Sequence, residues 1–334
     1  MMFGKHGNLA MRMRSFLGLL VATISLSPLR SEPVVKDNPT WELVWSDEFN
    51  GSEIDRKKWQ AEKSCWGGGN NERQCYTDRP KNIRVSGGFL HITAHEERFT
   101  GPEHPPEIAS MPNPKKRQPF TSGKIRTRKL ASWTYGKFEF RAKLPKGQGT
   151  WPAVWMMPDD DFYGQWPLSG EIDILEAVNL GATCHECQGN VGENRTLSAL
   201  HFGDKAPRNT HVHQRVALPD LSLPSDDFHI WTLEWGKGLM RFYLDDKLYW
   251  EVTPDQWKTA SSRAKSNPFA PFDKPFYIMA NLAIGGKLSE ENNDKGIFMN
   301  SVPAEFLLDW IRIYECKGDK ETGLACIKGT KEGH

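Results

Sequence analysis

Residues 170–179 read GEIDILEAVN and carry three acids within six positions, Glu171, Asp173 and Glu176. Successive side chains of a β-strand point to opposite faces, so Glu171 and Asp173 share one face and Ile172 takes the other. Glu176 has the wrong parity for that face. One extra residue, a β-bulge near Ile174–Leu175, returns it to the acidic side, and bulges commonly re-aim side chains beside functional sites. Glu171 and Glu176 then stand about four strand steps apart, roughly 13 Å at ~3.3 Å per step. Side chains leaning together over Asp173 would close this to the ~5–5.5 Å at which one carboxyl acts as nucleophile and the other as acid. Three crowded carboxylates also raise at least one pKa, which leaves a proton to donate near neutral pH. A solvated strand face can carry three acids by accident, but the Trp-rich sequence on either side argues against that here.

The rest of the chain has the same short period. WELVWSDEFNG (41–51) alternates and breaks at Asn50–Gly51, and NIRVSGGFLHITAHEE (82–97) is a hairpin about Gly87–Gly88. SGKIRTRK, YGKFEFRAKLP, ALHFG (199–203), HIWTLEW (229–235), LMRFYLDDKLYWEV (239–252), FYIMANLAIGG (276–286) and FLLDWIRIYE (306–315) are strand-like, with a turn at Leu244–Asp246. The Gly-rich stretch 66–77 reads as a loop that approaches a ligand closely, and the Pro-rich stretch 100–120 as a surface loop. Only residues 254–265 hint at a helix. Many short strands with frequent turns predict an all-β, two-sheet sandwich or jelly roll. No internal repeat, low-complexity tract or second-domain linker interrupts it.

Thirteen Trp residues stand out in an otherwise ordinary composition, and they suit stacking on sugar rings as well as β-rich cores. A net charge of +1 argues against a nucleic-acid partner, and the longest basic run is Lys115–Lys116–Arg117 in the Pro-rich loop. Lys5, Arg12 and Arg14 precede the apolar run FLGLLVATISL (16–26), a secretory signal pattern too short for a confident membrane span. The expected organisation is a signal peptide at 1–31, a linker at 32–40, a catalytic domain at 41–316 and a capping tail at 317–334. An exported chain has no membrane contact once the signal is removed, and its cysteines are expected to be oxidised. The simplest pairing is local: Cys65 with Cys75, Cys184 with Cys187, Cys316 with Cys326. Fifteen connectivities are open to six cysteines. The CHEC at 184–187 lacks the second pair that a zinc site needs.

The runs YGKFEFRAKLPKGQGTWPAVWMMP (135–158) and QWPLSGEIDILEAVN (165–179) closely resemble glycoside hydrolase family 16, over most of the chain from Trp41 to Tyr314. The E-x-D-x-x-E spacing is similar to the laminarinase branch, whose pattern keeps the additional residue. The resemblance implies a jelly roll with a concave substrate cleft and a retaining, endo-acting hydrolase of β-1,3-glucan that needs no cofactor for catalysis. It implies Glu171 as nucleophile, Glu176 as acid/base and Asp173 between them. It implies Trp151, Trp155 and Trp166 lining the cleft, Asn71 and Arg141 binding hydroxyls on the non-reducing side, and His201 near the acids. It also implies a structural calcium on Glu48, the Gly88 carbonyl and Asp309, although the turns DEFNG, SGGFL and LLDW make sense as sheet-edge turns without a metal.

The sequence therefore points to a secreted, monomeric β-1,3-glucanase acting on a polysaccharide or oligosaccharide. Within the class, a mixed-linkage glucanase or a galactan-cleaving relative remains open, and the loop at 180–195, which the shared pattern does not fix, bears on that choice. Outside the class, relatives of this fold bind β-glucan as lectins, but those typically lack the catalytic acids.

Overall fold

The computed structural model describes residues 39–108 and 111–329. The expected signal peptide and nearly all of the linker lie outside them, and Thr40 already belongs to the first strand. In chain order the strands are β1 (Thr40–Asp47), β2 (Gln60–Ala61), β3 (Gln74–Tyr76), β4 (Ile83–Ser86), β5 (Phe89–Pro102) and β6 (Lys115–Ser122). Next come β7 (Lys124–Arg126), β8 (Gly136–Lys143), β9 (Thr150–Pro158), β10 (Glu171–Glu176), β11 (Arg195–Gly203) and β12 (Asn209–Ala217). The chain closes with β13 (His229–Gly236), β14 (Leu239–Leu244), β15 (Lys247–Val252), β16 (Phe276–Ile284) and β17 (Ala304–Lys317). Two short helices, α1 (Lys287–Glu290) and α2 (Leu324–Gly329), complete the described secondary structure with one 3₁₀ turn at 299–301.

These strands form two facing sheets, as the alternation predicts. One runs β15-β14-β13-β8-β17-β5-β6-β3, with β1 on β17 and β4 on β5; the other runs β12-β11-β10-β9-β16-β7-β2. Alternate residues of both sheets meet in a single large core that includes Phe138, Phe140, Trp231, Leu233, Ile278, Phe306 and Ile313. Full burial of each such side chain stabilises by ~1.5–3 kcal/mol. Two turns are those the sequence asks for. Ser86 pairs with Phe89 across Gly87–Gly88, and Leu244 pairs with Lys247 across Asp245 and Asp246, both at positive φ, as a two-residue hairpin turn requires.

Three expectations need correcting or sharpening. Residues 254–265 form turns, not a helix: they are largely polar and begin at Pro254, so no apolar stripe exists to dock a helix. The surface loop expected at 100–120 is shorter, because β5 extends to Pro102 and β6 begins at Lys115. β12 is a strand the alternation missed, since NTHVHQRVA lacks a regular apolar face. Within residues 317–329, Ile327 is buried and its carbonyl accepts a 2.8 Å hydrogen bond from Arg241.

The three local disulfides are formed, Cys65–Cys75, Cys184–Cys187 and Cys316–Cys326, and no described cysteine is free. Alkylation of the denatured, unreduced protein should accordingly label none of the six cysteines, and all of them after reduction. Labelling without reductant would break the pairing.

Candidate active site

The face of the second sheet turned away from the core is a floor whose composition follows from strand register. Gly170, left-handed at φ +85°, leads into β10; a Cβ there would come within 2.8 Å of Phe272. Glu171 stands opposite His201 and Asp173 opposite Ala199 on β11. The register then slips between Asp173 and Glu176, so that Glu176 meets Leu197; against β9 the slip falls between Asp173 and Leu175. This bulge turns all three acids to one face while Ile172, Ile174 and Leu175 fill the core behind them. Asp173 is buried, and Glu171 and Glu176 are half-buried on the floor.

Each glutamate has its own tryptophan. Trp166 Nε1 donates to Glu171 Oε2 at 2.6 Å, and Trp151 Nε1 donates to Glu176 Oε1 at 2.8 Å. Glu171 is also hydrogen-bonded by Asp173. His201 Nε2 lies 3.3 Å from Asp173 Oδ2, near enough for charge attraction although not aligned as a hydrogen bond. Burial is the main force raising all three carboxyl pKas. For Glu171 the next influence is the His201 charge, which favours the carboxylate. For Glu176 it is the negative charge of Asp173, which pushes further toward the protonated form. Burial disfavours the charged His201, but Asp173 and then the two glutamates outweigh it and raise the imidazole to about 9. The floor thus combines a proton held on one glutamate with a cation that helps ionise the other.

The tryptophans differ in what they offer. Trp166 is 42% exposed and presents the most open indole face. Trp155, opposite Asp173, is held by a 2.6 Å bond to Asn281 Oδ1 and has Lys124 Nζ 4.7 Å from its ring centroid. Trp151 is nearly buried against Val178, Ala283 and Leu288, so its N–H edge rather than its face reaches the site. Asn71 sits in a left-handed turn beside the end of β16, where Glu72 bridges Gly285 and Lys287 N–H reaches the Asn70 carbonyl.

Arg141 is a correction. It lies on β8 in the opposite sheet, paired with Asp309 and stacked 4.6 Å from the Phe228 ring centroid, away from the acids. The calcium residues do not fit a metal as they stand. Glu48 is held by Arg312 at 2.8 and 3.0 Å and Asp309 by Arg141, while Gly88 is the open corner of the β4–β5 turn. Each carboxylate that would neutralise a cation already neutralises a guanidinium.

Sequence reasoning missed part of the floor. Asn281, a lone amide inside the apolar run of β16, orients Trp155. On β7, Lys124 and Arg126 share Glu62 at 3.1 and 3.3 Å, and Arg126 also pairs with Glu107. The i, i+2 spacing of Lys124, Arg126 and Arg128 was the available signal.

A β-sandwich with two differently protonated carboxylates on a tryptophan-lined floor defines a glycoside hydrolase. Residues 41–316 match the family profile described as "Beta-porphyranase A-D, GH16 domain". The chain is 37% identical over 283 residues to the glucan endo-1,3-beta-glucosidase A1 of Niallia circulans, covering 82% of this chain but 38% of that one. It is 36% identical over 306 residues to a beta-glucanase of Rhodothermus marinus, covering 90% and 94%. The solved laminarinase of Rhodothermus marinus superposes with a TM-score of 0.65 at 34% identity, over 84% of this chain and 99% of that one. The chain belongs to glycoside hydrolase family 16.

The charge on His201 favours the ionised form of each acid. His201→Asn removes it, so the carboxyl pKas rise. Both limbs of the kcat/KM profile should move to higher pH, by about one unit. A profile that stays in place would mean that His201 carries no charge in the working enzyme.

Proposed function

We propose that the protein is a secreted, retaining endo-β-1,3-glucanase. The observation that carries this reading is the pair Glu171 and Glu176, brought to one face by the bulge and set apart in protonation by their neighbours. The relatives' names, glucan endo-1,3-beta-glucosidase, beta-glucanase and laminarinase, support the substrate class. The disulfides support export.

In the first step the Glu171 carboxylate attacks the anomeric carbon as Glu176 passes its proton to the departing glycosidic oxygen. The bond to that oxygen breaks and a glycosyl ester forms on Glu171. Glu176, now ionised, takes a proton from water, whose oxygen displaces Glu171 and restores the original anomeric configuration. Asp173 holds Glu171 in line, and the Trp166 N–H stabilises the carboxylate before attack and after release. Nothing in this sequence calls on a metal.

A second reading has one observation behind it, the family profile described for β-porphyranases. It would make the substrate a galactan. Reducing-end release from laminarin, mixed-linkage glucan, agarose and carrageenan separates the two. Laminarin should be cut fastest; cleavage of a galactan alone would overturn the glucanase reading.

The roles of the two glutamates are tested by azide rescue. Glu176→Ala keeps the nucleophile, so an activated aryl β-glucoside still glycosylates Glu171, and azide entering the vacated space yields the β-azide. Glu171→Ser blocks the glycosyl ester, so azide attacks from the other face and yields the α-azide. The opposite pair of products would reverse the assignment.

The arginine partners of Glu48 and Asp309 lead us to expect no stabilisation by calcium. EGTA should leave Tm unchanged, whereas an ion present at 100 times its Kd would contribute about 2.7 kcal/mol.

A further inference from the structure

The floor does not end at the acids. β12 is the edge strand of the same sheet and pairs with β11 in unbroken register, His211 opposite His201, His213 opposite Ala199 and Arg215 opposite Leu197. His201, Ala199 and Leu197 are themselves opposite Glu171, Asp173 and Glu176. Directly opposed residues share a face, so His211, His213 and Arg215 rise from the floor that carries the acids. The two histidines are exposed and Arg215 is half-buried.

The imidazoles are ordered against one another. His201 and His211 have centroids 5.3 Å apart at 28°, and His211 and His213 are 5.4 Å apart at 25°. Trp166 extends the series, 6.2 Å from His201. Rings stacked in this way turn their faces to each other and their edges outward, and an imidazole edge carries nitrogens that donate or accept. Burial, together with the charges of His201 and His213, lowers the His211 pKa, so its ring meets a ligand uncharged near neutral pH. Arg215 makes no ion pair among the described residues; its charge is felt at Glu176. Polar side chains on an edge strand also guard against strand pairing. That role needs neither ring-on-ring order nor a common face with the acids.

Asn71, which the family resemblance puts on the non-reducing side, lies by β16, across β10 from β12. We propose that His211, His213 and Arg215 bind the sugar units on the leaving-group side of the scissile bond, taking neutral pyranose hydroxyls on the imidazole edges and the guanidinium. The inference rests on the endo-glucanase reading, because cleavage within a chain leaves several sugars to be seated there.

Two substrates isolate this surface. Laminarihexaose has sugars on both sides of the cut bond, while an aryl β-laminaribioside has only the aryl group on the leaving side. His213→Ala should lower kcat/KM for laminarihexaose by about tenfold, the scale of one lost hydrogen bond, with a clearly smaller loss on the aryl glycoside. His213→Gln, which still donates and accepts, should recover most of the loss. Tm should hold in both variants, since the side chain is exposed on an edge. Equal losses on the two substrates, or no loss on laminarihexaose, would overturn the inference and leave the glucanase reading in place. Wild-type protein inactive on both substrates would remove that reading and the inference with it.

Discussion

The structure depends on holding three carboxyl groups side by side in a poorly solvated floor. Burial disfavours the charge on each of them, and each ionised neighbour makes the next harder to ionise. The bulge in β10 creates this crowding, because a regular strand would send Glu176 into the core. The surrounding residues then offset it in three ways: indole N–H donors on Glu171 and Glu176, a hydrogen bond from Asp173 to Glu171, and a charged His201. Trp166 serves only Glu171 and Trp151 only Glu176, so the two carboxyls can be tuned separately although they share a strand. The apolar backing of Ile172, Ile174 and Leu175 keeps that strand from relaxing away from its neighbours.

The floor away from the acids relies on a different device. Glu62 is buried between Lys124 and Arg126, and Lys124 also lies over Trp155. Removing one member of such a buried set strands the other's charge, a loss of ~3–5 kcal/mol. The set therefore works as a rigid support more than as a source of net stability. With Asn281 fixing the indole N–H from the adjacent strand, Trp155 is held from its edge and from one face. A sugar platform gains from that rigidity, because a ring already in place loses little entropy on binding.

Much of this was legible in the sequence where a local rule sufficed. Parity alone located the bulge, Gly87–Gly88 and Asp245–Asp246 marked their hairpins, and period-2 runs gave most strands. The failures share a cause. Arg141 alternates on its strand like any floor residue, but alternation does not say which of two sheets a strand joins. The partner of Glu48 is Arg312, 264 positions away, and no spacing rule reaches that far. β12 escaped because a polar edge strand has no apolar face to read, although HVHQR sets His211, His213 and Arg215 two apart.

The last of these misses, β12, bears on the substrate choice proposed above. In the mechanism proposed above the chemistry of glycosyl transfer is carried by Glu171, Asp173 and Glu176, and it would be the same for a glucan or a galactan. The fold is likewise shared across chemistries and does not select a linkage. Discrimination between pyranoses that differ in one hydroxyl's orientation requires polar groups placed against that hydroxyl, where a mismatch leaves a buried donor or acceptor unpaired. On this floor such groups lie away from β10, at Asn281 and Lys124 on one side and on β12 on the other. This explains how a profile described for porphyranases and relatives named as glucanases can match the same chain. Both share the family to which this chain belongs, and on the reading proposed above it is the side chains across the outer strands that decide which sugar is held in register for attack.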